Sequence, residues 1–217
     1  MAELMMLRLE GALQSWGESS AWDNRGTENF PTKSGVIGML ACAMGIPRGS
    51  REIPELVQAA SFGIRADRLG TAVCDFQTVQ GMPRVLNAAG KPRGNIVSYR
   101  WYLQDASFLA VLQVPDAWRD RIEKALQNPK WCIYLGRKNC VPSRPVWDGV
   151  HTEYGTILEA LRRYPAAERA DEILSYETEI PFPEGSTLSR ADETTGERKF
   201  DRRKVWRGAV RRDELCI

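Results

Sequence analysis

Residues 32–45, TKSGVIGMLACAMG, restrict the folds open to this chain more than any other segment. Thr32 belongs to the residue types that cap helix N-termini, and Gly45 supplies a C-terminal stop. Between these ends, residues 36–44 are apolar on nearly all sides of the predicted helix. Other elements have to cover such a helix, so the sequence predicts a folded domain built around it.

The same predicted helix has little bulk on one side. Gly35, Gly38 and the small Cys42 recur at helical spacing, although each glycine costs about 1 kcal/mol of helix stability relative to alanine. This cost indicates that something approaches the helix closely. A neighbouring sheet or backbone would explain it, and so would a nucleic-acid backbone at the N-terminal end.

The start of the predicted helix suits an anion. Lys33 and Ser34 match the end of the nucleotide-binding motif GxxxxGK[ST], but Thr27 and Thr32 stand where that motif requires glycine, so the motif is absent. Free N–H groups at a helix start, a lysine and a hydroxyl still form a site for a phosphate. Ordinary capping accounts for the same residues, and the sequence does not decide between the two.

The order of the predicted elements indicates an α+β fold. Helices are predicted at residues 32–44, 53–60 and 117–128, and strands at residues 4–10, 61–68, 71–80, 96–104 and 106–114. This succession resembles the ferredoxin-like or RRM-type order, in which an antiparallel sheet carries helices on one face and leaves the other face available. We therefore expect a single RRM-like domain spanning residues 1–217.

A basic arm interrupts this pattern. Residues 81–95, GMPRVLNAAGKPRGN, are too long and too broken by glycine and proline for a packed turn, and they carry Arg84, Lys91 and Arg93 without an acid. We predict a protruding β-hairpin thumb at about residues 80–98. From about residue 145 to residue 217 the pattern weakens, which predicts a less regular C-terminal part with a helix near residues 156–163 and strands near residues 173–179 and 205–210.

Composition excludes several classes of protein. With 43% hydrophobic and 27% charged residues, most of the chain should fold, because disordered chains carry far fewer apolar residues. The five cysteines include no CxxC pair, so neither a zinc knuckle nor a redox motif is indicated. No export signal or membrane-spanning run is evident. We expect a cytoplasmic protein that needs no metal or cofactor and no membrane.

Residues for acid–base catalysis are scarce. His151 is the only histidine, which excludes two-histidine ribonuclease chemistry. A metal-independent ribonuclease would still have Tyr154 near His151, or Lys138 near Tyr134, as candidates. A histidine in a surface loop is the simpler interpretation, so we predict no catalytic residue.

Positive segments interleaved with aromatic side chains indicate RNA binding. They are the basic arm, YLGRKNC at 134–140 followed by Arg144, and RKFDRRKVWRG at 198–208, with Tyr99, Trp101, Tyr134 and Trp206 beside them. Stacking aromatics and cations together bind single-stranded RNA. Each segment alone is equally typical of a solvated surface, and it is their number that favours RNA.

Four stretches of the sequence resemble the CasD family, the type I-E subunits of the CRISPR Cascade complex. They are LRLEGALQSWG at 7–17, FPTKSGVIGMLACAMGIPR at 30–48, YLQDASFLAVL at 102–112 and YLGRKNCVPSRPV at 134–146. The resemblance implies an RRM-like fold with a thumb and no catalysis. It also implies a protein that caps the 5-prime handle of the guide RNA, contacts the Cascade backbone subunit and large subunit, and meets target DNA only indirectly.

The resemblance and the cationic segments together give a set of predicted RNA-binding residues. They are Gln14, Trp16, Lys33, Ser34, Arg84, Lys91, Arg93, Arg100, Trp101, Tyr134, Arg137 and Lys138. Two alternatives remain at this point. One is an endoribonuclease that processes precursor CRISPR RNA, as a related branch does with a tyrosine, lysine and histidine set. The other is a protein-interaction module with no RNA role.

Overall fold

Eleven strands and four α-helices occur within residues 3–17, 23–81, 86, 89–91, 94–196 and 199–215, which are the residues that the computed structural model describes. The strands are β1 (Leu4–Glu10), β2 (Leu13–Gln14), β3 (Asn24–Arg25), β4 (Ser61–Arg68), β5 (Thr71–Val79), β6 (Ile96–Gln104), β7 (Ser107–Gln113), β8 (Trp147–His151), β9 (Ile173–Thr178), β10 (Ser186–Gly196) and β11 (Lys199–Arg211). The helices are α1 (Lys33–Met44), α2 (Glu52–Ala59), α3 (Asp116–Gln127) and α4 (Ile157–Arg163). The predicted α+β class with antiparallel pairing is confirmed.

A large antiparallel sheet forms the centre of the molecule. Its strands lie in the order β10-β11-β9-β4-β7-β1-β8. The middle strands β1, β4 and β7 are buried on both faces along nearly their whole length. This explains why β1 and β7 are mostly apolar, whereas β4 also buries the charged residues Arg65 and Asp67. α1 lies against this sheet with Thr32 as its N-cap and Gly45 in the left-handed conformation at its C-terminus, as predicted. None of the described helices is both long and apolar enough to cross a membrane.

Helices cover both faces of the sheet. Alternate side chains of β1 divide between two hydrophobic clusters, because successive residues of a strand point to opposite faces. Met5, Leu7 and Leu9 pack with residues of α1, α2 and α3, whereas Leu4 and Met6 pack with residues of α4. The prediction that helices would lie on one face only is therefore wrong, since α4 occupies the face expected to stay free.

Buried arginines attach α4 to the sheet. Arg65 of β4 is fully buried and donates to the carbonyl oxygens of Leu161 and Tyr164, both at 2.8 Å, which satisfies acceptors at the C-terminal end of α4. Asp67 holds Arg65 through a 2.6 Å contact between Nε and Oδ1, and its other oxygen accepts from the buried Arg8. The Asp67 carboxylate is therefore shared by two buried cations, and Arg8 also contacts Oδ2 of Asp148 at 2.9 Å.

A long hairpin leaves the central sheet. β5 pairs with β6 over nine residue pairs, from Thr71 opposite Gln104 to Val79 opposite Ile96. β6 also pairs with the short strands β2 and β3, so the base of the hairpin is fixed. Most of β5 is exposed. The segment that the sequence marks as a basic arm connects these two strands, and Lys91 in it is exposed, whereas Arg84 and Arg93 lie outside the described residues.

The C-terminal part contains more strand than its sequence pattern indicates. β10 and β11 form an antiparallel hairpin that joins the central sheet through pairing of β11 with β9. The expectation of a less regular region after residue 145 is corrected here. The cause is physical: the inward side of this hairpin carries ion-paired side chains such as Asp192 and Arg203, which are 1% and 9% exposed, so no apolar alternation reveals it.

Candidate nucleic-acid interface

A groove of about 480 Å³ opens beside the start of α1. Segments far apart in sequence form its walls. They are the residues directly after β2, the first turns of α1, the loop into α2 with the start of α2, the 134–140 loop and the tip of the β10–β11 hairpin. The lining residues are Ser15, Trp16, Gly17, Thr32, Ser34, Gly35, Gly38, Arg48, Gly49, Ser50, Arg51, Ile53, Pro54, Gly136, Thr194, Thr195 and Phe200. The groove exists only in the folded chain.

Glycines keep this groove wide. A methyl group added at Gly38 or at Gly49 would meet no atom within 4 Å, so both positions face open space. Gly35 is different, because an added Cβ would lie 2.9 Å from the ring of Trp16. The glycine side of α1 thus serves two purposes. One glycine admits a neighbouring aromatic ring, and the other leaves room for a ligand.

The lining is cationic and rich in hydroxyl groups. Arg48 and Arg51 are exposed on either side of Gly49 and Ser50, and within the described residues neither arginine forms an ion pair. No carboxylate is among the described residues that line the groove. Cations and hydroxyls around a space without acids are the chemistry that binds phosphate. Neither arginine is among the residues predicted from the sequence, although the turn RGSR between two predicted helices is a recognisable signal.

Lys33 supports the groove and does not face it. Its side chain is buried, and its Nζ lies 2.8 Å from Oε1 of Glu179 and 3.6 Å from Oε1 of Glu193. Its backbone N–H donates to Oδ2 of Asp192 at 2.7 Å. Carboxylates of the C-terminal strands therefore take the place of the predicted phosphate. Ser34 is half-buried and lines the groove.

Gln14 and Trp16 are likewise supporting residues. Gln14 is fully buried, and its amide donates to the carbonyl oxygens of Leu9 at 2.9 Å and Ala106 at 2.8 Å. Its side-chain oxygen accepts from the indole N–H of Trp16 at 3.0 Å. Trp16 is 1% exposed and forms the floor of the groove beside Gly35. These contacts fix the chain between β2 and α1, and they leave Gln14 no atom for RNA.

The loop at residues 134–140 closes one side of the groove. Gly136 has a φ of +87°, and an added Cβ would collide with the carbonyl oxygen of Ser15, so glycine is required there. Arg137 donates to the carbonyl oxygens of Trp101 at 3.2 Å and Arg25 at 2.9 Å, and its guanidinium lies 4.7 Å from the ring centre of Tyr102. Arg137 therefore holds the loop in place.

Comparison with known proteins decides the family. A family model described as CRISPR-associated protein (Cas_Cas5) matches residues 4–213. The chain belongs to this Cas5 family. It is also 33% identical over 161 residues to the CRISPR system Cascade subunit CasD of Escherichia coli (strain K12), which covers 69% of this chain and 71% of that relative. The resemblance found in the sequence is confirmed.

Solved structures show the same relationship. A chain of a CRISPR RNA-guided surveillance complex aligns over 99% of this Cas5 chain and 93% of its own length, with a TM-score of 0.78 and 29% identity. The crystal structure of a Cas protein aligns over 98% of this chain and 97% of its own length, with a TM-score of 0.73 and 31% identity. Nearly the whole chain therefore has counterparts in solved structures of CRISPR-associated proteins.

The remaining predicted residues of this Cas5 chain lie outside the groove lining. Lys138 is exposed and Tyr134 is half-buried, both in the 134–140 loop. Arg100 and Trp101 lie on β6, on opposite faces of the β5–β6 hairpin, and Trp101 is 39% exposed. The predicted residues that the structure describes therefore do not lie together in one groove. Ser34 and Trp16 line the groove, and the others support it, occupy the hairpin or lie outside the described residues.

The single histidine has tyrosine neighbours. His151 Nδ1 lies 2.7 Å from Oε1 of Glu153, and its Nε2 lies 3.3 Å from the hydroxyl of Tyr164. The ring centres of His151 and Tyr154 are 6.3 Å apart. Tyr164 donates to Oδ2 of Asp148 at 3.1 Å. Burial, together with the Asp148 carboxylate, raises the pKa of Tyr164 to about 12, so its phenol stays protonated and is a poor general base at neutral pH.

The raised pKa of Tyr164 predicts alkaline destabilisation. In the unfolded chain this phenol ionises near pH 10, whereas in the folded chain it stays neutral until about pH 12. Its contribution to stability is therefore full below pH 10 and is lost progressively between pH 10 and pH 12, amounting to about 3 kcal/mol in all and to about half of that by pH 11. Urea unfolding at pH 8 and at pH 11 should show a smaller pH-dependent loss for Tyr164→Phe than for the wild type. Equal losses would contradict the assignment.

Proposed function

We propose that this chain is a non-catalytic, RNA-binding structural subunit of a CRISPR surveillance (Cascade) ribonucleoprotein in antiviral defence. It caps the 5-prime handle of the CRISPR guide RNA, and the groove beside α1 receives that handle. The observation that carries the proposal is the lining of this groove, which combines open glycines, hydroxyls, Arg48 and Arg51 without a carboxylate. The names of the relatives, a Cascade subunit and an RNA-guided surveillance complex, support the RNA partner.

The sheet order supports an RRM-type core in a single domain. Strands β4, β7, β1 and β8 are neighbours in that order and are all antiparallel, with α1 between β1 and β4 in sequence and α3 between β7 and β8. This is the order of a ferredoxin-like unit. α4 and the β9–β11 strands extend it. We assign the β5–β6 hairpin as the thumb of this domain.

The thumb offers a surface for the Cascade backbone subunit. Side chains directly opposite each other on β5 and β6 share a face, and one face carries Phe76, Tyr99 and Trp101, which are 57%, 49% and 39% exposed. The opposite face carries the polar pairs Asp75 with Arg100 and Gln77 with Ser98. An exposed apolar face of this kind marks a protein contact. The large subunit and, through it, target DNA complete the assembly in the cytoplasm.

Removing the groove arginines tests the proposal. The double variant Arg48→Ala/Arg51→Ala is expected to bind a handle oligonucleotide about 25-fold more weakly at 0.1 M salt. Each lost phosphate contact lowers the slope of log K against log salt by about 0.7 for a single strand, so the slope should fall by about 1.4. Fluorescence anisotropy across a salt series measures both quantities.

A matched variant distinguishes the loss of specific groove contacts from the effect of a lower net charge on RNA binding. Lys124→Ala/Arg169→Ala removes the same charge from exposed positions on α3 and before β9, and it should bind as the wild type does. Wild-type binding that is absent or independent of salt would support an interaction module without RNA.

The endoribonuclease alternative has weaker support. His151, Tyr154 and Tyr164 lie together, but none of them lines the groove. Incubation of the purified protein with repeat RNA and chelator tests it. A discrete cut that His151→Ala abolishes would establish the enzyme and overturn the non-catalytic role.

A further inference from the structure

The basic segment at the C-terminal end divides into two sets of side chains. β11 is a regular strand opposite β10, so residues two apart point to the same side. Arg203 and Arg207 share one side, where the buried Arg203 binds Asp192 at 2.6 Å and the partly exposed Arg207 binds the buried Glu177. Arg202 and Lys204 point outward and are exposed. Strand periodicity thus separates structural arginines from solvent-facing cations.

The outward cations are not neutralised by neighbours. Within the described residues neither Arg202 nor Lys204 forms an ion pair, whereas their inward neighbours do. The residues opposite the outward side of β11 are Ser189, facing Lys204, and Thr187, facing Trp206. Both are exposed and bear hydroxyls. The outer side of this hairpin is therefore a strip of cations and hydroxyls, a surface chemistry that binds phosphate oxygens.

Aromatic side chains stand at both ends of the strip. Phe200 is 50% exposed and lines the groove at one end. Trp206 lies at the other end, half-buried against the hydrophobic cluster that contains α4, and the ammonium of Lys204 is 5.3 Å from its ring centre. Aromatic rings alternating with cations bind single strands, because bases stack on the rings while cations hold phosphates. The strip is continuous with the groove through Phe200.

We propose that the RNA strand leaving the groove runs along the outer side of β11. Arg202 and Lys204 hold its phosphates, and Phe200 and Trp206 contact its bases. The distance from Phe200 to Trp206 is six residues of strand, or about 20 Å, which a stacked strand covers with about six nucleotides. This inference rests on the proposed function, and it adds a second, sequence-independent stretch of contact to the handle site.

The experiment compares RNAs of different length on the full chain. One RNA is a handle oligonucleotide, and two others carry an extension of about six nucleotides at the 5-prime or the 3-prime end. The wild type is expected to bind one extended RNA more tightly than the short one. Arg202→Ala/Lys204→Ala should bind the short RNA as the wild type does and lose the gain from extension, about 25-fold at 0.1 M salt, with a salt slope smaller by about 1.4.

Controls distinguish failure of this inference from failure of the proposed function. Lys124→Ala/Arg169→Ala should keep the gain from extension, and an unchanged thermal midpoint should show that Arg202→Ala/Lys204→Ala folds. If the double variant keeps the wild-type affinity and salt slope for both extended RNAs, or if extension brings the wild type no gain, the path along β11 is wrong. In both cases binding of the short RNA, with its dependence on Arg48 and Arg51, still supports the groove. Loss of that binding in the wild type overturns the groove itself.

Discussion

Asp67→Asn is expected to destabilise the fold by about 3–5 kcal/mol, which is a large part of the stability of a domain of this size. Asp67 is fully buried and is the shared partner of Arg65 and Arg8, which are 0% and 4% exposed. Burial works against the charged form of Arg65 and lowers its pKa, and Asp67 offsets part of this cost. An amide of the same shape leaves Arg65 without a counter-charge, and it leaves Arg8 with Asp148 as its only carboxylate partner among the described residues.

Urea unfolding monitored by circular dichroism measures this loss. Asp213→Asn is the matched control, because Asp213 pairs with Arg211 at 3.2 Å where both side chains are more than 60% exposed. That control should unfold at the wild-type urea concentration, since exposed ion pairs contribute little. If Asp67→Asn unfolds there too, the buried cluster is not what attaches α4 to the sheet.

Two substitutions at Gly38 are expected to affect stability and RNA binding differently. Gly38→Ala should raise the free energy of unfolding by about 1 kcal/mol, because alanine favours helix and the added methyl meets no atom within 4 Å. Gly38→Phe should still fold, but its ring occupies the groove. We expect it to weaken binding of a handle oligonucleotide at least about 100-fold, or roughly 3 kcal/mol.

Thermal unfolding and fluorescence anisotropy on the same samples give both quantities. Gln58→Phe places the same ring at an exposed position of the adjacent helix α2, outside the groove lining, and should bind as the wild type does. A folded Gly38→Phe protein with wild-type affinity would mean that RNA does not enter this groove.

Much of the central fold follows from the sequence. The predicted strands at residues 4–10, 61–68 and 96–104 coincide with β1, β4 and β6, and the predicted helix at 32–44 begins one residue later. These segments can be predicted because they bury apolar side chains at a regular period. The helix can also be predicted because Thr32 marks its N-terminal end and Gly45 its C-terminal end. Where burial of apolar groups drives folding, pattern and structure agree.

The candidate site is harder to predict, because its residues contribute charge and space. The spacing of apolar residues does not show that the Lys33 side chain is buried and ion-paired with Glu179, because lysine is ordinarily a surface residue. Gln14 gives the same difficulty, because only the structure shows that carbonyl oxygens of β1 and of the turn before β7 surround its amide. A possible anion-binding site at the start of α1 could be predicted from the sequence. The sequence did not reveal Arg48 and Arg51, which approach that position only after folding.

The contacts between Lys33 and Asp192 and Glu193 of the β10–β11 hairpin have a consequence for when the groove forms during synthesis of the chain. Thr194, Thr195 and Phe200 are the last residues of the groove lining to be synthesised. Asp192 beside them accepts from the backbone N–H of Lys33, at the start of a helix that is synthesised much earlier. A ribosome that has delivered only the first 180 residues has made most of the lining but not its final wall. If the groove receives guide RNA as proposed, a complete binding surface exists only in chains whose synthesis has passed Phe200.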